Sequence, residues 1–443
     1  MAIGDKLTLA VERMAYGADA VARDADGRTV FVTGGVPGDT VVAVVEAEAE
    51  RYANARVQKV LEASPDRVQP ACPYAAVCGG CPWSAMSYEA QARAKRAGVV
   101  DALARIGRFG TERAEALVRP LESPSAPWGY RNKVELAAVQ KNGRLVLGMH
   151  AAGGAGVVKV DRCALLSKKH TKDVKALTGA VGYLANSHGL EIERVGIRAS
   201  EATGEAEVAL WGRPGPFPRA QAAKIIGDAV KATSVVRVMQ KGPAKARKIA
   251  GVEALSGKGS WGERICDERM RVSAPSFFQV NTKGAEKLVE LVMAGLDPQP
   301  DEEAMDLYCG AGTFTLPLAR RAGFVSAVES YGPAIRDLRR NLESARLGNV
   351  DPIGGDAGRE FPDTDADVIV VDPPRAGLAA DVVEQLSEQP ARAIAYVSCD
   401  PATLARDLAR FEEKGVFAVQ SVTPVDLFPQ TFHVEDVAIL HRR

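Results

Sequence analysis

Three hydrophobic patterns follow one another along the chain. Up to about residue 60, apolar and polar residues alternate over 6–11, 29–32, 41–45 and 55–60, with Asp26-Gly27 and Pro37-Gly38-Asp39 as turns between them. So many short strands in so little chain predict a small closed barrel of the oligonucleotide-binding kind. A helical spacing over 87–103 follows, carrying Arg93, Lys95 and Arg96, and then a mixed stretch with a strand over 130–136 and a helix over 218–231. From about residue 270 strands and helices alternate, the signature of a parallel sheet. Strands are expected at 304–308, 324–329, 367–371, 393–397 and 433–440, and helices at 282–294, 403–411 and after the glycines near 310. The chain therefore divides into an OB-like β-barrel (1–62), an α+β central domain (63–265) and an α/β domain (266–443).

With 443 residues, 46% hydrophobic and 25% charged, this is ordinary globular composition, long enough for about three domains. No apolar run reaches spanning length, and Met1 to Lys6 lacks the basic and apolar regions of a leader, so a cytoplasmic protein without a membrane partner is expected. The net charge of zero conceals a division. Residues 301–443 hold 14 basic against 24 acidic residues (−10), which leaves +10 on residues 1–300. A basic front fits a polyanion as partner. Four further basic residues lie in 241–248, where a solvated loop is the default reading.

Seven cysteines in a cytoplasmic chain argue against disulfides. Cys72, Cys78 and Cys81 are spaced C-x5-C-x2-C around Gly79-Gly80, and Cys163 supplies a fourth thiol. Such a set suits zinc or an iron–sulfur cluster, and the spacing alone does not choose between them. Cys266 and Cys309 are read as packing residues.

The α/β part carries the chemistry. Cys309-Gly310-Ala311-Gly312 after a strand allows close approach of a nucleoside-bearing ligand, and Glu329 at the next strand end is placed for ribose hydroxyls. Thr315 occupies the third glycine position of a dinucleotide loop, which weakens that reading. Asp372-Pro373-Pro374-Arg375 makes a stiff loop able to clamp a planar base. Cys399 lies between a strand and a helix whose N-cap is Asp400, a place where a thiol's pKa is expected to fall. The plain alternative is a buried cysteine acting as a small hydrophobe. A thiolate adding to carbon 6 of a pyrimidine makes carbon 5 nucleophilic, and a base must then remove the carbon-5 proton. Cys399 and Glu435 can supply these two roles.

The motifs YRNK, FFQVN, DLYCGAGTF, VDPPRAGL, VSCDPATLARD and FPQTFHVE, with the CGGC site, resemble the RNA 5-methyluridine (uracil-C5) methyltransferases over nearly the whole chain. Residues 17–23 and 30–39 resemble the TRAM domain, which implies RNA binding. The resemblance implies a class I, Rossmann-like methyltransferase domain, with Cys399 as nucleophile and Glu435 as base. Gln279, Tyr308, Thr313, Glu329, Asp356 and Asp372 would line the S-adenosyl-L-methionine site, and Cys72, Cys78, Cys81 and Cys163 would ligate a [4Fe-4S] cluster. It further implies 23S rRNA as substrate, with tRNA as alternative; separately, a monomer is expected. Ser84 and Gln430 depart from the usual pattern of the family. Two rivals remain: a cytosine-C5 enzyme, which would carry a cysteine where Pro374 stands, and a non-catalytic RNA-binding protein.

Overall fold

The computed structural model describes residues 2–154, 156–243 and 247–443, so the basic stretch 241–248 lies partly outside the described residues. Strands β1 (Lys6–Met14), β2 (Ala20–Arg23), β3 (Thr29–Thr33), β4 (Thr40–Glu48) and β5 (Tyr52–Glu62) close into a barrel in the order β1-β2-β3-β5-β4. Alternation sends Leu9, Val30, Val32, Val41 and Ala43 inward to its core. The pattern of hydrophobic and polar residues missed β2. Ala20, Val21 and Ala22 are all buried, so no alternation marks the strand.

Helix α1 (Tyr88–Arg105) begins at Ser87, whose hydroxyl accepts from the Ala90 N–H at 3.3 Å, and α2 (Thr111–Leu117) follows. The basic residues of α1 are taken up in ion pairs. Arg93 pairs with Asp66 (2.6 Å) and Arg96 with Glu115 (2.8 Å). Lys95 pairs with Asp426 at 2.6 Å, with both side chains fully buried.

The central sheet has the order β12-β11-β10-β9-β6-β7-β8. In chain order its elements are β6 (Lys133–Lys141), β7 (Arg144–His150), β8 (Val157–Val158), α3 (Asp173–His188), β9 (Arg194–Ala199), β10 (Ala206–Gly212), α4 (Arg219–Val230), β11 (Ser234–Lys241) and β12 (Lys248–Gly257). Leu177, Val181 and Leu184 of α3 and Ile226 of α4 meet Val195, Ile197 and Val208 in one core.

A hairpin of β13 (Trp261–Ile265) and β14 (Glu268–Val272) leads into α5 (Thr282–Leu296). Then come β15 (Glu303–Leu307), α6 (Thr315–Ala319), β16 (Phe324–Glu329), α7 (Gly332–Ala345), β17 (Val350–Gly354), β18 (Val368–Val371), α8 (Ala380–Glu388), β19 (Ala393–Ser398), α9 (Pro401–Lys414), β20 (Phe417–Val425) and β21 (Glu435–Arg442). The sheet order is β17-β16-β15-β18-β19-β21-β20. It is parallel from β17 to β19, and β21 is antiparallel to both its neighbours. Both faces are covered: Met305, Leu307, Ile369 and Tyr396 pack to one side, Ala304, Val368, Val370 and Ala395 to the other. This explains why these strands read as continuous apolar runs. The order reverses between β15 and β18, the kind of place where open α/β sheets bind ligands beyond the carboxyl ends of their strands. Among the described residues no helix is long and apolar enough to cross a membrane.

Candidate active site

Strand register brings the two reactive candidates together. Ser398 at the end of β19 is paired with Asp436 of the antiparallel β21, so one step further Cys399 faces Glu435. Beside them β18 ends at Val371, and the Asp372 N–H donates to the Leu307 carbonyl at 3.2 Å. Arg375, on the proline loop, places its charge close enough to lower the Cys399 thiol and reaches His433 Nδ1 with Nη2 at 3.3 Å.

The site gathers acids whose carboxyls burial raises above their ordinary range. Glu435 is 4% exposed, and burial, then Asp372 and Asp436, drive its carboxyl well above the ordinary range against the pull of Arg375. Asp372 is pushed up to about 7 by burial and then by Glu329. Asp436, buried with neither carboxylate oxygen partnered among the described residues, is raised by burial and by Asp400. His433 is pushed down to about 4 by burial, then by Arg375, and is a neutral imidazole.

The expected lowering of the Cys399 pKa does not occur. Burial, and next the Glu435 carboxylate, push the thiol up to about 11, with Arg375 opposing. The helix start supplies no counterweight to these causes. The Asp400 carboxylate already accepts from the Ala402 and Thr403 N–H groups (2.9 and 3.1 Å), so the free donors of α9 are occupied by an anion before the thiol can use them.

Of the residues expected at the donor site, Gln279 is 7% exposed and its Oε1 has no partner among the described residues, while its carbonyl accepts from Asn132 Nδ2 at 2.9 Å. Glu329 is fixed by backbone donors: Gly310 N–H to Oε2 at 2.9 Å and Tyr331 N–H to Oε1 at 2.5 Å. Tyr308 takes the left-handed conformation, φ +65°, turning the chain off β15. Its phenol is pushed up to about 12 by burial, then by Asp356, which lies at the surface with Oδ1 accepting the Gly358 N–H at 3.2 Å. Gly312 has φ +100°, and a Cβ there would stand 2.6 Å from Leu316. Thr313, next in the loop, is half-buried. An orphaned amide oxygen, a glycine cradle and an acid fixed at a strand end fit a nucleoside with a charged tail.

Two residues here were not singled out from sequence. Asp306, fully buried, has its Oδ2 bonded by the Thr315 hydroxyl at 2.6 Å and is pushed up to about 8, chiefly by burial. Thr315, the departure from a dinucleotide loop, is thus the lock on an acid. An acid inside the apolar strand Met305-Asp306-Leu307 is the signal that could have revealed it. The other is Arg375, legible only once Cys399 and the proline loop are seen side by side.

The four clustered cysteines line one cavity of about 90 Å³ together with Tyr74, Trp128 and Arg131. Burial is the main cause raising Cys78, Cys81 (to about 12) and Cys163, and neighbouring thiols add to it. The donors suit a thiolate-bound centre, although among the described residues no three His, Cys, Asp or Glu side chains converge in metal-binding geometry. Cys309 is buried as expected, whereas Cys266 is exposed at the β13–β14 turn with φ +51°, so it is not a packing residue.

The family model for tRNA (uracil-5-)-methyltransferase matches residues 263–361 and 356–443. An uncharacterized RNA methyltransferase of Gloeobacter violaceus is 33% identical over 99% of this chain and 97% of its own length. Another, of Halalkalibacterium halodurans, is 34% identical over 98% and 97%. Among solved structures, the Pyrococcus abyssi tRNA (uracil-54, C5)-methyltransferase in complex with S-adenosyl-L-homocysteine superposes with a TM-score of 0.75. It is 25% identical, covering 98% of this chain and 99% of that one. Likeness of this extent means that the chain belongs to the tRNA (uracil-5-)-methyltransferase family and is an S-adenosylmethionine-dependent RNA methyltransferase acting on carbon 5 of uracil.

Proposed function

We propose that the protein methylates a uridine of 23S rRNA through a covalent adduct on Cys399. The observation that carries this reading is the register that sets Cys399 against Glu435, with Asp372 and Arg375 beside them. The Cys399 sulfur bonds to carbon 6, and the electron pair released to carbon 5 takes the methyl group. S-adenosylmethionine supplies that methyl as an electrophile and leaves as S-adenosylhomocysteine. Glu435, as carboxylate, then takes the carbon-5 proton. The C–H pair restores the double bond, and the C6–S bond breaks to return the thiolate. Overall, uridine and the sulfonium give 5-methyluridine, the neutral thioether and one proton.

Gln279, Tyr308, Thr313, Glu329, Asp356 and Asp372 would hold the methyl donor. Glu329 serves the ribose, and the Gln279 amide oxygen accepts from its polar end. Cys72, Cys78, Cys81 and Cys163 would hold a [4Fe-4S] cluster with a structural role, since this reaction transfers no electrons. The barrel acts as a TRAM-type RNA-binding domain. rRNA is favoured because the four-cysteine site resembles that of rRNA-directed members of the family. A tRNA substrate is the second reading, favoured by the named activity of the Pyrococcus abyssi neighbour.

The test uses tritiated S-adenosylmethionine with rRNA and tRNA extracted from a strain lacking the protein. Cys399→Ala should abolish transfer while leaving donor binding intact. Glu435→Gln should accumulate protein–RNA adduct on a denaturing gel. Free methylated product from Glu435→Gln at the wild-type rate, without adduct, would reassign the base.

A further inference from the structure

We infer that Tyr16, on the barrel, is a stacking platform for a nucleobase flanking the target uridine, so that the barrel takes part in presenting the base to Cys399. The inference rests on the RNA reading above and adds a residue to it. Tyr16 lies in the loop between β1 and β2, far along the chain from the reactive cysteine, yet a run of contacts joins them. Its ring meets Phe432 edge-on (centroids 6.0 Å), Phe432 lies against His433 (4.1 Å), His433 contacts Arg375 (3.3 Å), and the Arg375 charge acts on the Cys399 thiol. Burial, then Asp400, Asp436 and Cys399, keep the phenol protonated, so the group is a neutral aromatic face.

The ring is held in place rather than loose. Trp83 Nε1 donates to the Gly17 carbonyl at 3.1 Å, the Ala15 N–H bonds the Asp19 carbonyl at 3.0 Å, and Gly98 of α1 comes close to the ring. A ring so fixed and still 42% exposed leaves a face to be covered. It stands with Phe432 and Met86 in a groove of about 400 Å³ between the barrel and α1. An enzyme acting on a base takes it out of the stack, and its neighbours then lose a stacking partner. Aromatic side chains replace such partners irrespective of sequence. Three arginines line the groove. Arg93 and Arg105 are paired with Asp66 and Asp101, whereas Arg13 has no ion pair among the described residues and only donates to the Met14 carbonyl at 3.3 Å. Arg13 is therefore the cation left for a phosphate.

The experiment uses the full-length protein and rRNA or tRNA from a strain lacking it, whichever the wild type methylates. Tyr16→Ala should raise KM for RNA roughly 5- to 150-fold, the factor for about 1–3 kcal/mol of stacking on one base, with S-adenosylmethionine affinity unchanged. Tyr16→Phe keeps the ring and should stay within about threefold of wild type. Arg13→Gln should lower the slope of log affinity against log salt by about one. An unchanged KM for Tyr16→Ala overturns the inference, as does Tyr16→Phe failing equally, which would assign the hydroxyl and not the ring. Where Tyr16→Ala does not fold, Tyr16→Leu against Tyr16→Phe decides on the same readout. A groove used by a protein partner would leave every RNA readout unmoved. Wild-type protein that binds these RNAs without methylating them refutes the reaction, and the affinity comparison then decides on Tyr16.

Discussion

Replacing Arg375 by alanine should make Cys399 less reactive, by an amount that follows from its surroundings. Only the thiolate is a nucleophile, and a thiol at about 11 has about one molecule in 10³ ionised at pH 8. That fraction rises tenfold with each pH unit until pH approaches 11, so reactivity should climb steadily through the neutral range. Arg375 opposes the burial and the Glu435 charge chiefly through its own charge. Arg375 is exposed, so solvent screening holds this contribution to about 1.4 kcal/mol or less, at most a factor of about ten in thiolate. The assay is iodoacetamide alkylation of the Cys399 peptide, followed by mass spectrometry from pH 6 to pH 10 without RNA. This keeps any loss of phosphate contacts out of the measurement. Arg375→Ala should follow the wild-type curve displaced by up to about one pH unit to higher pH. Superposed curves would remove Arg375 from the account. A wild-type curve that levels off near pH 7 would refute the raised thiol itself.

Other outcomes follow from the same geometry. Lys95→Met should lose about 3–5 kcal/mol of unfolding free energy in urea, because Asp426 is left buried and unpaired, and Asp426→Leu added to it should recover much of the loss. Asp306, raised in the folded protein to about 8, binds a proton there that the unfolded chain releases near its ordinary value. Its stabilising share is complete below about pH 4 and is lost as pH rises through 8, so Asp306→Asn should flatten the fall in melting temperature over that window. Protein purified without oxygen should be brown with about four irons, and a colourless protein holding one zinc would replace the iron assignment while keeping the thiolate staple.

What the sequence made legible was the part governed by short-range rules. Alternation marked four barrel strands and continuous apolar runs marked the parallel ones, because burial on one or two faces leaves a direct record in residue order. Asp400 and Pro401 announced the start of α9, and the cap is as expected, with two N–H groups bonded to the Asp400 carboxylate. That same bond shows where local reasoning fails: a helix start was read as a source of positive potential, but its cap had already used the donors. The basic helix formed where its spacing placed it, but its ion pairs were not legible locally, since the partners of Lys95 and Arg96 lie 331 and 19 residues further along the chain. β2 left no alternating pattern, and β20, an edge strand, is identified by its pairing with β21 and not by its composition.

Gln430 turns the last departure from the family pattern into an argument about how the site is held. With φ +73°, it gives its N–H to the Gln91 side-chain oxygen at 2.8 Å, takes the Gln91 amide at 3.1 Å, and accepts the Trp83 N–H on its carbonyl at 3.1 Å. On either side, Lys95 Nζ reaches the Phe428 carbonyl at 3.0 Å, the Tyr130 hydroxyl reaches the Pro429 carbonyl at 3.1 Å, and Phe432 meets Tyr16. The loop that leads into Glu435 is thus bonded, residue after residue, by the front of the chain. The position of Glu435 therefore depends on contacts between segments far apart along the chain. If so, Lys95→Met should alter the alkylation of Cys399 as well as stability, because Glu435 adds, after burial, to the raising of the thiol's pKa. A destabilised Lys95→Met protein with an unchanged Cys399 profile would show that the loop holds Glu435 without α1.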